Sequence, residues 1–539
     1  MADTTLTQEP QAPAPRLQRR RLSTVELLLR VHAALLGGVL TFLAFPPVGA
    51  WPLAPVGTAA ILLAIHRQPA RFGALLGLLA GFGLFIPLFT WVQVIGTDVW
   101  IGLATLEAGY LALLGAGLAL VTRLPGWPVW AAGLWVAQEA LRGSFPFGGF
   151  TWGRLAFSQG HSAFTPYASL AGAPFVTFLV ALSGGLLAYG AILGWHVRTA
   201  ESRIVSGRLG WRLPAVTTVL VGALAVPALG YAVPLPTNGK PVTVAAVQGN
   251  VAHSGMQATA GNSPRVVLGN HAEATHELAA KAEAGKVPQP DFVVWPETAS
   301  LFRTYDSEYA RTLIDSAVDD VGVPVLVGAY VGEPGTQRLR NVGIVWSPQT
   351  GPGETYTKRH LVPFGEYIPF RDFLLRFFER LEMVGKDRIP GTEPGVLHIA
   401  GTTIADAICF DVAYDNVVRE AVVGGGKLIT VQTNNNTYLG TSQPEQQLAI
   451  ERLRAVEHGR AVVVAAISGI SAIISPDGRL LEVSQPATQD VLIEQVPLRS
   501  ELTLADRLGA APEWVLTAVG LLAVAVATVF SARARRRSR

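Results

Sequence analysis

Seven apolar runs fill residues 24–233 and an eighth lies near the end of the chain, a pattern that restricts it to folds crossing a membrane several times. The runs fall at about 25–45, 51–66, 72–93, 98–121, 127–144, 166–195 and 213–233, with the last at 513–531. Crossing the hydrocarbon core takes about 20 mostly apolar residues in a helix, because no water is there to satisfy the backbone. The second run is short and the sixth long, so their ends are the least sharply defined. Pro46-Pro47 and Pro125-Gly126 punctuate the series. Charged residues make up only 15% of the chain, against about 25% for a soluble domain.

The arginines set the orientation. Arg67 and Arg71 follow the second run, Arg123 the fourth, and Arg198, Arg203, Arg208 and Arg212 the sixth. Arg16, Arg19, Arg20 and Arg21 precede the first run, and Arg533, Arg535, Arg536, Arg537 and Arg539 follow the last. With seven spans plus one, all of these lie on one face. By the positive-inside rule that face is cytoplasmic. The reading is a cytoplasmic tail at 1–23, read as disordered rather than as a cleaved signal peptide. A seven-span domain follows at 24–233, then an extracytoplasmic domain at 240–505. The eighth span, 513–531, leads to a basic cytoplasmic tail at 532–539. Within the spans, Arg30 is near enough to an end to snorkel. Glu139 and Arg142 are expected to pair with each other or to meet lipid headgroups. Glu107 has no partner visible in the sequence.

Residues 240–505 alternate apolar β-rich runs with helical patterns, which argues an α/β domain with helices covering sheet. Strands are expected at 242–247, 292–295, 325–330, 342–346, 403–409, 428–431, 462–467 and 472–474. Helices are expected at 264–284, 307–321, 413–423 and 444–459. In the last helix Leu448, Leu453 and Val456 share roughly one face, with Gln446, Glu451, Arg454 and Glu457 mostly off it. Pro234–Gly239 reads as the linker from the seventh span.

Cys409 is the one cysteine, so it forms no internal disulfide. Free cysteine is often a small buried hydrophobe, and that reading stands beside a reactive one. Outside the cytoplasm, an unpaired thiol points to use. Cys409 ends an apolar strand and precedes a helix, whose N-terminus would lower its pKa. Glu297, in Trp295-Pro296-Glu297, also ends an apolar strand, and Lys358 follows Tyr356-Thr357. A thiol, a carboxylate and an amine at element ends can make a nucleophile, a base and an oxyanion stabiliser. Other chemistries find less support. His271 and His276 are five apart and read as exposed helix polarity rather than a metal site. No dinucleotide or P-loop motif occurs, so no cofactor is expected. A net charge of +3 gives no case for nucleic acid. Gly424-Gly425-Gly426 reads as a helix C-cap. Asn434-Asn435-Asn436 reads as a turn that could line a pocket.

These motifs together resemble a known family. Trp-Pro-Glu at Glu297, Lys358 ahead of Leu361-Val362-Pro363-Phe364-Gly365-Glu366, and Ile408-Cys409-Phe410-Asp411 look like the Glu–Lys–Cys triad of the nitrilase, or carbon–nitrogen hydrolase, superfamily. With the spans, and with Phe45-Pro46-Pro47, Gly149-Phe150-Thr151-Trp152 and Val247-Gln248-Gly249-Asn250, the chain resembles the bacterial apolipoprotein N-acyltransferase family. The resemblance implies a polytopic α-helical membrane domain carrying a nitrilase-like α-β-β-α sandwich. It implies that a phospholipid acyl chain passes to Cys409 as a thioester and then to the α-amine of a diacylglyceryl-cysteine lipoprotein. Glu297 would be the general base, Lys358 the oxyanion stabiliser, Cys409 the nucleophile and Glu366 a second essential glutamate. Asp411 and Asn435 would position substrate. The sequence departs from the family where Tyr-Glu commonly follows the cysteine, here Phe410 and Asp411, and where Asn-Asp is replaced by Asn435-Asn436. The expected partners are the phospholipid donor, the lipoprotein acceptor and the membrane, with the protein a monomer and without metal. A membrane-anchored amidase and a transporter with an accessory domain are the rival readings.

Overall fold

The computed structural model describes residues 23–201, 212–251 and 263–537. The tail expected at 1–23, apart from Ser23, and the topology-setting arginines Arg203, Arg208 and Arg539 lie outside the described residues. Each of the eight apolar runs carries a helix: α1 (Thr24–Leu43), α2 (Leu53–Ile65), α3 (Ala70–Leu88), α4 (Thr97–Val121), α5 (Trp127–Arg142), α6 (Ala168–Glu201), α7 (Arg212–Gly230) and, last, Ala511–Arg537. By length and composition five of them can cross a membrane, on 24–43, 70–88, 97–121, 165–197 and 511–533. The apolar stretches 53–65 and 214–230 are shorter.

Helices in lipid gain little from hydrophobic burial against each other, so they approach on small residues. A Cβ on Gly77 of α3 would collide with the Leu111 carbonyl oxygen of α4. Charge inside this bundle is paired, though not as the sequence suggests. Arg142 does not bond Glu139. Its Nη1 meets Glu107 Oε2 at 3.0 Å and donates to the carbonyls of Phe150 and Trp152. Glu107 thus has a partner 35 residues away, beyond the reach of helical spacing. Glu139 accepts from the backbone N–H of Leu155 and from Thr177 Oγ1, each at 2.8 Å, with Arg154 3.7 Å away. Near its end, Arg30 pairs with Glu26 and donates to Ala64 O.

Among the described residues the second domain has thirteen strands. They are β1 (Lys240–Gln248), β2 (Phe292–Val294), β3 (Ser300–Arg303), β4 (Val325–Gly332), β5 (Leu339–Ser347), β6 (Gly351–Thr357), β7 (Val396–Ile399), β8 (Thr402–Ile408), β9 (Ile429–Thr433), β10 (Val462–Ala466), β11 (Ala472–Ile474), β12 (Leu480–Val483) and β13 (Asp490–Leu498). One sheet runs β13-β1-β2-β4-β5-β6 with β3 beside β4, and the other β12-β11-β10-β9-β8-β7. Val244, Phe292, Val294 and Leu326 of the first sheet meet Ile404, Ile408, Val463 and Ile473 of the second in a shared core. Helices α8 (Pro264–Glu283) and α9 (Glu308–Val321) cover the outer face of the first sheet through Leu268, Leu278, Ile314 and Val318. Helices α10 (Asp415–Val423) and α11 (Gln443–His458) cover the second through Val417, Val418, Leu453 and Val456. This is an α-β-β-α sandwich. The cluster on the second sheet is continuous with Phe89 and Trp152 of the membrane part.

That continuity buries the polar side of α11, and separately the expectation of an exposed His271 fails. Gln446, Glu451, Arg454 and Glu457 of α11 are buried, because α11 is covered on both sides. Gln446 Oε1 accepts from Trp152 Nε1 at 2.8 Å, its Nε2 donates to Leu88 O, and Glu457 Oε1 accepts from the Ala173 N–H. His271 is buried too, its ring tilted against Trp295, while His276 bonds Asp320 at 2.7 Å. Among the described residues no group of three His, Cys, Asp or Glu side chains could hold a metal ion.

Candidate active site

Three strand ends converge. The chain leaves β2 at Val294 and turns through Trp295-Pro296-Glu297, where Thr298 takes a left-handed φ of 56°. Lys358 follows the last residue of β6, its N–H donating to Asn341 O at 2.9 Å. Cys409 follows β8 with φ 53° and opens a 3₁₀ turn, Cys409–Ala413. Left-handed backbone at non-glycine residues is uncommon and collects at functional sites.

Lys358 is 2% exposed and Glu297 5%. Lys358 Nζ lies 2.9 Å from Glu297 Oε1 and 3.0 Å from Glu366 Oε2, so one ammonium serves two carboxylates. Asn341 Nδ2 bridges them, at 2.7 Å to Glu297 Oε1 and 3.2 Å to Glu366 Oε1. The Asn434 N–H donates to Glu297 Oε2 at 3.0 Å, and the Val362 N–H to Glu366 Oε2 at 2.9 Å. Each carboxylate is therefore oriented by several fixed donors.

Burial works against the Lys358 ammonium, but Glu297 and Glu366 outweigh it and hold the amine well above its ordinary value. The Cys409 thiol is pushed up to about 12, first by burial and then by the Glu297 charge, with Lys358 acting the other way. This corrects the expectation of a thiol acidified by a helix N-terminus. The α-helix after Cys409 begins at Asp415 rather than near Ala413. The resting thiol is neutral, so its activation needs a base.

Asp411 is fully buried and does not cap α10, whose N-cap is Tyr414. Its Oδ2 accepts from Tyr356 Oη at 2.7 Å and its Oδ1 from the His360 N–H at 2.8 Å. It thus fastens both flanks of Lys358. Asn435 points away from the carboxylates: its Nδ2 donates to Gln443 Oε1 and Gln447 Oε1. The neighbouring Asn434 backbone makes the contact instead. Asn341 and Thr433 go unnoticed in the sequence reading. The available signal is a polar residue at the edge of an apolar strand, Asn341 before Val342 and Thr433 after Val431.

Two family models cover most of the chain. An apolipoprotein N-acyltransferase N-terminal domain matches residues 37–186, and a carbon–nitrogen hydrolase domain matches 243–502. An apolipoprotein N-acyltransferase of Mycolicibacterium smegmatis is 37% identical over 519 residues, covering 93% of this chain and 86% of its own length. The chain belongs to the apolipoprotein N-acyltransferase family. Another apolipoprotein N-acyltransferase, from Azotobacter vinelandii, is 32% identical over 87% of this chain and 90% of its own. A solved amidase of the nitrilase superfamily, from Nesterenkonia AN1, aligns with 51% of this chain and 96% of its own at 18% identity and a TM-score of 0.36.

In this apolipoprotein N-acyltransferase family member the residue after the cysteine packs against the membrane part. Phe410 stacks on Phe150 and on Trp152, with centroids 5.8 and 6.1 Å apart. Tyr438 meets Trp91 edge-on at 5.1 Å, and Tyr414 Oη donates to Gly149 O at 2.9 Å. Phe370, Phe373, Phe377 and Phe378 form an exposed aromatic arm, which Arg380 ties to Asp98 at the start of α4.

Proposed function

We propose that the protein moves a fatty acyl chain from a membrane phospholipid to Cys409, and from there to the N-terminal amine of a diacylglyceryl-cysteine lipoprotein. The observation that carries this reading is the Glu297–Lys358–Glu366 cluster beside a thiol whose next residue, Phe410, packs into the membrane part. Glu297 takes the thiol proton and the thiolate attacks the phospholipid ester carbonyl. Lys358 stabilises the oxyanion, as a preorganised cation does in a site that excludes water. When the tetrahedral adduct collapses, Glu297 returns the proton to the departing lysophospholipid oxygen. The lipoprotein amine then attacks the thioester, its proton passes to Glu297, and the sulfur leaves to be reprotonated. Glu366 keeps Lys358 charged and placed, and Asp411 fixes the segment that carries it. Both substrates are lipids, which suits a site opening at the bilayer surface.

Mass spectrometry of lipoprotein N-termini tests this reading. Cells with the protein should carry N-acylated lipoproteins, and cells without it only the free amine. Identical spectra would refute it.

The same reading places the chain in the bacterial inner membrane as a monomer, with residues 240–505 outside the cytoplasm. A reporter active only outside the cytoplasm should work when fused at Gly239 and fail when fused after Arg539. Activity at both junctions would overturn the seven-plus-one topology.

A further inference from the structure

Thr433 closes β9, and the parallel register that pairs Ile408 with Gln432 sets it beside Cys409. Its hydroxyl is among the groups that favour the Cys409 thiolate. That hydroxyl already has two partners: it donates to Asn435 Oδ1 at 3.0 Å and accepts from Gln447 Nε2 at 3.0 Å. A hydroxyl carries one proton, so it cannot serve Asn435 and the sulfur together. The Gln447 amide is locked in orientation. Its Nε2 also donates to Glu451 Oε1 at 2.9 Å, and its Oε1 accepts from Asn435 Nδ2 at 3.0 Å and Gln443 Nε2 at 3.1 Å. All five of these side chains are buried. Burial pushes the Glu451 carboxyl up to about 8, so at neutral pH it stays mostly protonated and adds little charge behind the thiol. Nothing in the acyl-transfer scheme uses this network.

Resting on the thiol chemistry proposed above, we propose that Thr433 is a further catalytic residue: its hydroxyl turns from Asn435 Oδ1 to the Cys409 sulfur when the thiolate forms. Gln447, oriented by Glu451, is the positioning residue that holds Thr433 for that turn. The proton balance is simple. The sulfur's proton goes to Glu297, Thr433 keeps its own, and only a hydrogen bond changes acceptor. A thiolate accepts a charge-assisted bond, stronger than the neutral bond to Asn435, so the turn favours the ionised state over the resting one.

The test uses the purified full-length protein, whose single cysteine makes iodoacetamide alkylation a direct reading of thiolate at Cys409. It needs neither lipid nor acceptor. Thr433→Val keeps the shape and removes the hydroxyl, and should alkylate about tenfold or more slowly at a fixed mildly alkaline pH. Thr433→Ser should restore the parent rate, which a packing defect would not allow. Glu451→Ala should fall between them, and Glu451→Gln, whose amide oxygen still accepts, should match the parent. Should Thr433→Val not fold, Thr433→Ala carries the same expected slowing. A parent rate in the hydroxyl-free variant, or a Thr433→Ser as slow as it, overturns the role of Thr433. A parent rate in Glu451→Ala overturns that of Glu451. Expected alkylation without lipoprotein acylation would sink the acyltransferase reading alone.

Discussion

Cys409→Ala is expected to abolish both formation of the acyl-enzyme and transfer to lipoprotein, with the fold intact. The scale is set by a well-studied protease, where removing the nucleophile costs on the order of 10⁶ in turnover. The stability cost should be small, about 1 kcal/mol, because the side chain is half-buried and only a sulfur is lost. Cys409→Ser should be nearly as inactive, since an alkoxide is far harder to generate than a thiolate. Single-turnover acylation beside a melting curve checks both. Residual acylation at more than a few per cent would mean that another group carries the acyl chain.

Lys358→Ala is expected to damage activity and stability together, and the two effects can be separated. Losing an oxyanion donor costs about 10²–10³ in rate. Removing the ammonium also leaves Glu297 and Glu366 facing each other in a buried site, and breaking a buried ion pair costs about 3–5 kcal/mol. The melting temperature should therefore fall steeply. In the double variant Lys358→Ala with Glu366→Gln, one of the two stranded charges is gone, so the melting temperature should recover in part. The acylation rate should not recover. Restoration of both together would make Lys358 purely structural. A rate unchanged in Lys358→Ala would remove it from the chemistry.

Much of this architecture is legible in the sequence, for identifiable reasons. The helices of the membrane part show because lipid demands long apolar runs, and Leu53–Ile65 is the ambiguous case because it is only 13 residues long. The buried parallel strands show because they are continuous apolar runs, as in Val462–Ala466. The strands that escape notice are those whose sequences break the pattern. β6 opens on Gly351-Pro352-Gly353, β3, β7 and β12 are each four residues long, and β13 carries Asp490 and Glu494. Glu297 and Cys409 stand out because each ends an apolar β run, and Lys358 because of the Leu361-Val362-Pro363-Phe364-Gly365-Glu366 motif that follows it. The partners that orient them come from far along the chain: Asn341 is 44 residues from Glu297, and Asp411 is 51 from His360. Sequence spacing carries no information at that range. The same holds for the Glu107–Arg142 pair, and for α11, whose polar face is buried against the membrane part.

The central claim is a covalent acyl chain on Cys409, made from lipid and discharged by an amine. The most direct measurement is intact-protein mass spectrometry after incubation with phospholipid alone, then with a diacylglyceryl-cysteine peptide bearing a free α-amine. The account predicts one added acyl mass, located at Cys409, released by hydroxylamine, stable in water and lost when the peptide is added as the peptide gains it. An unmodified Cys409, or an acyl group lost to water at the same rate with and without the peptide, would contradict it.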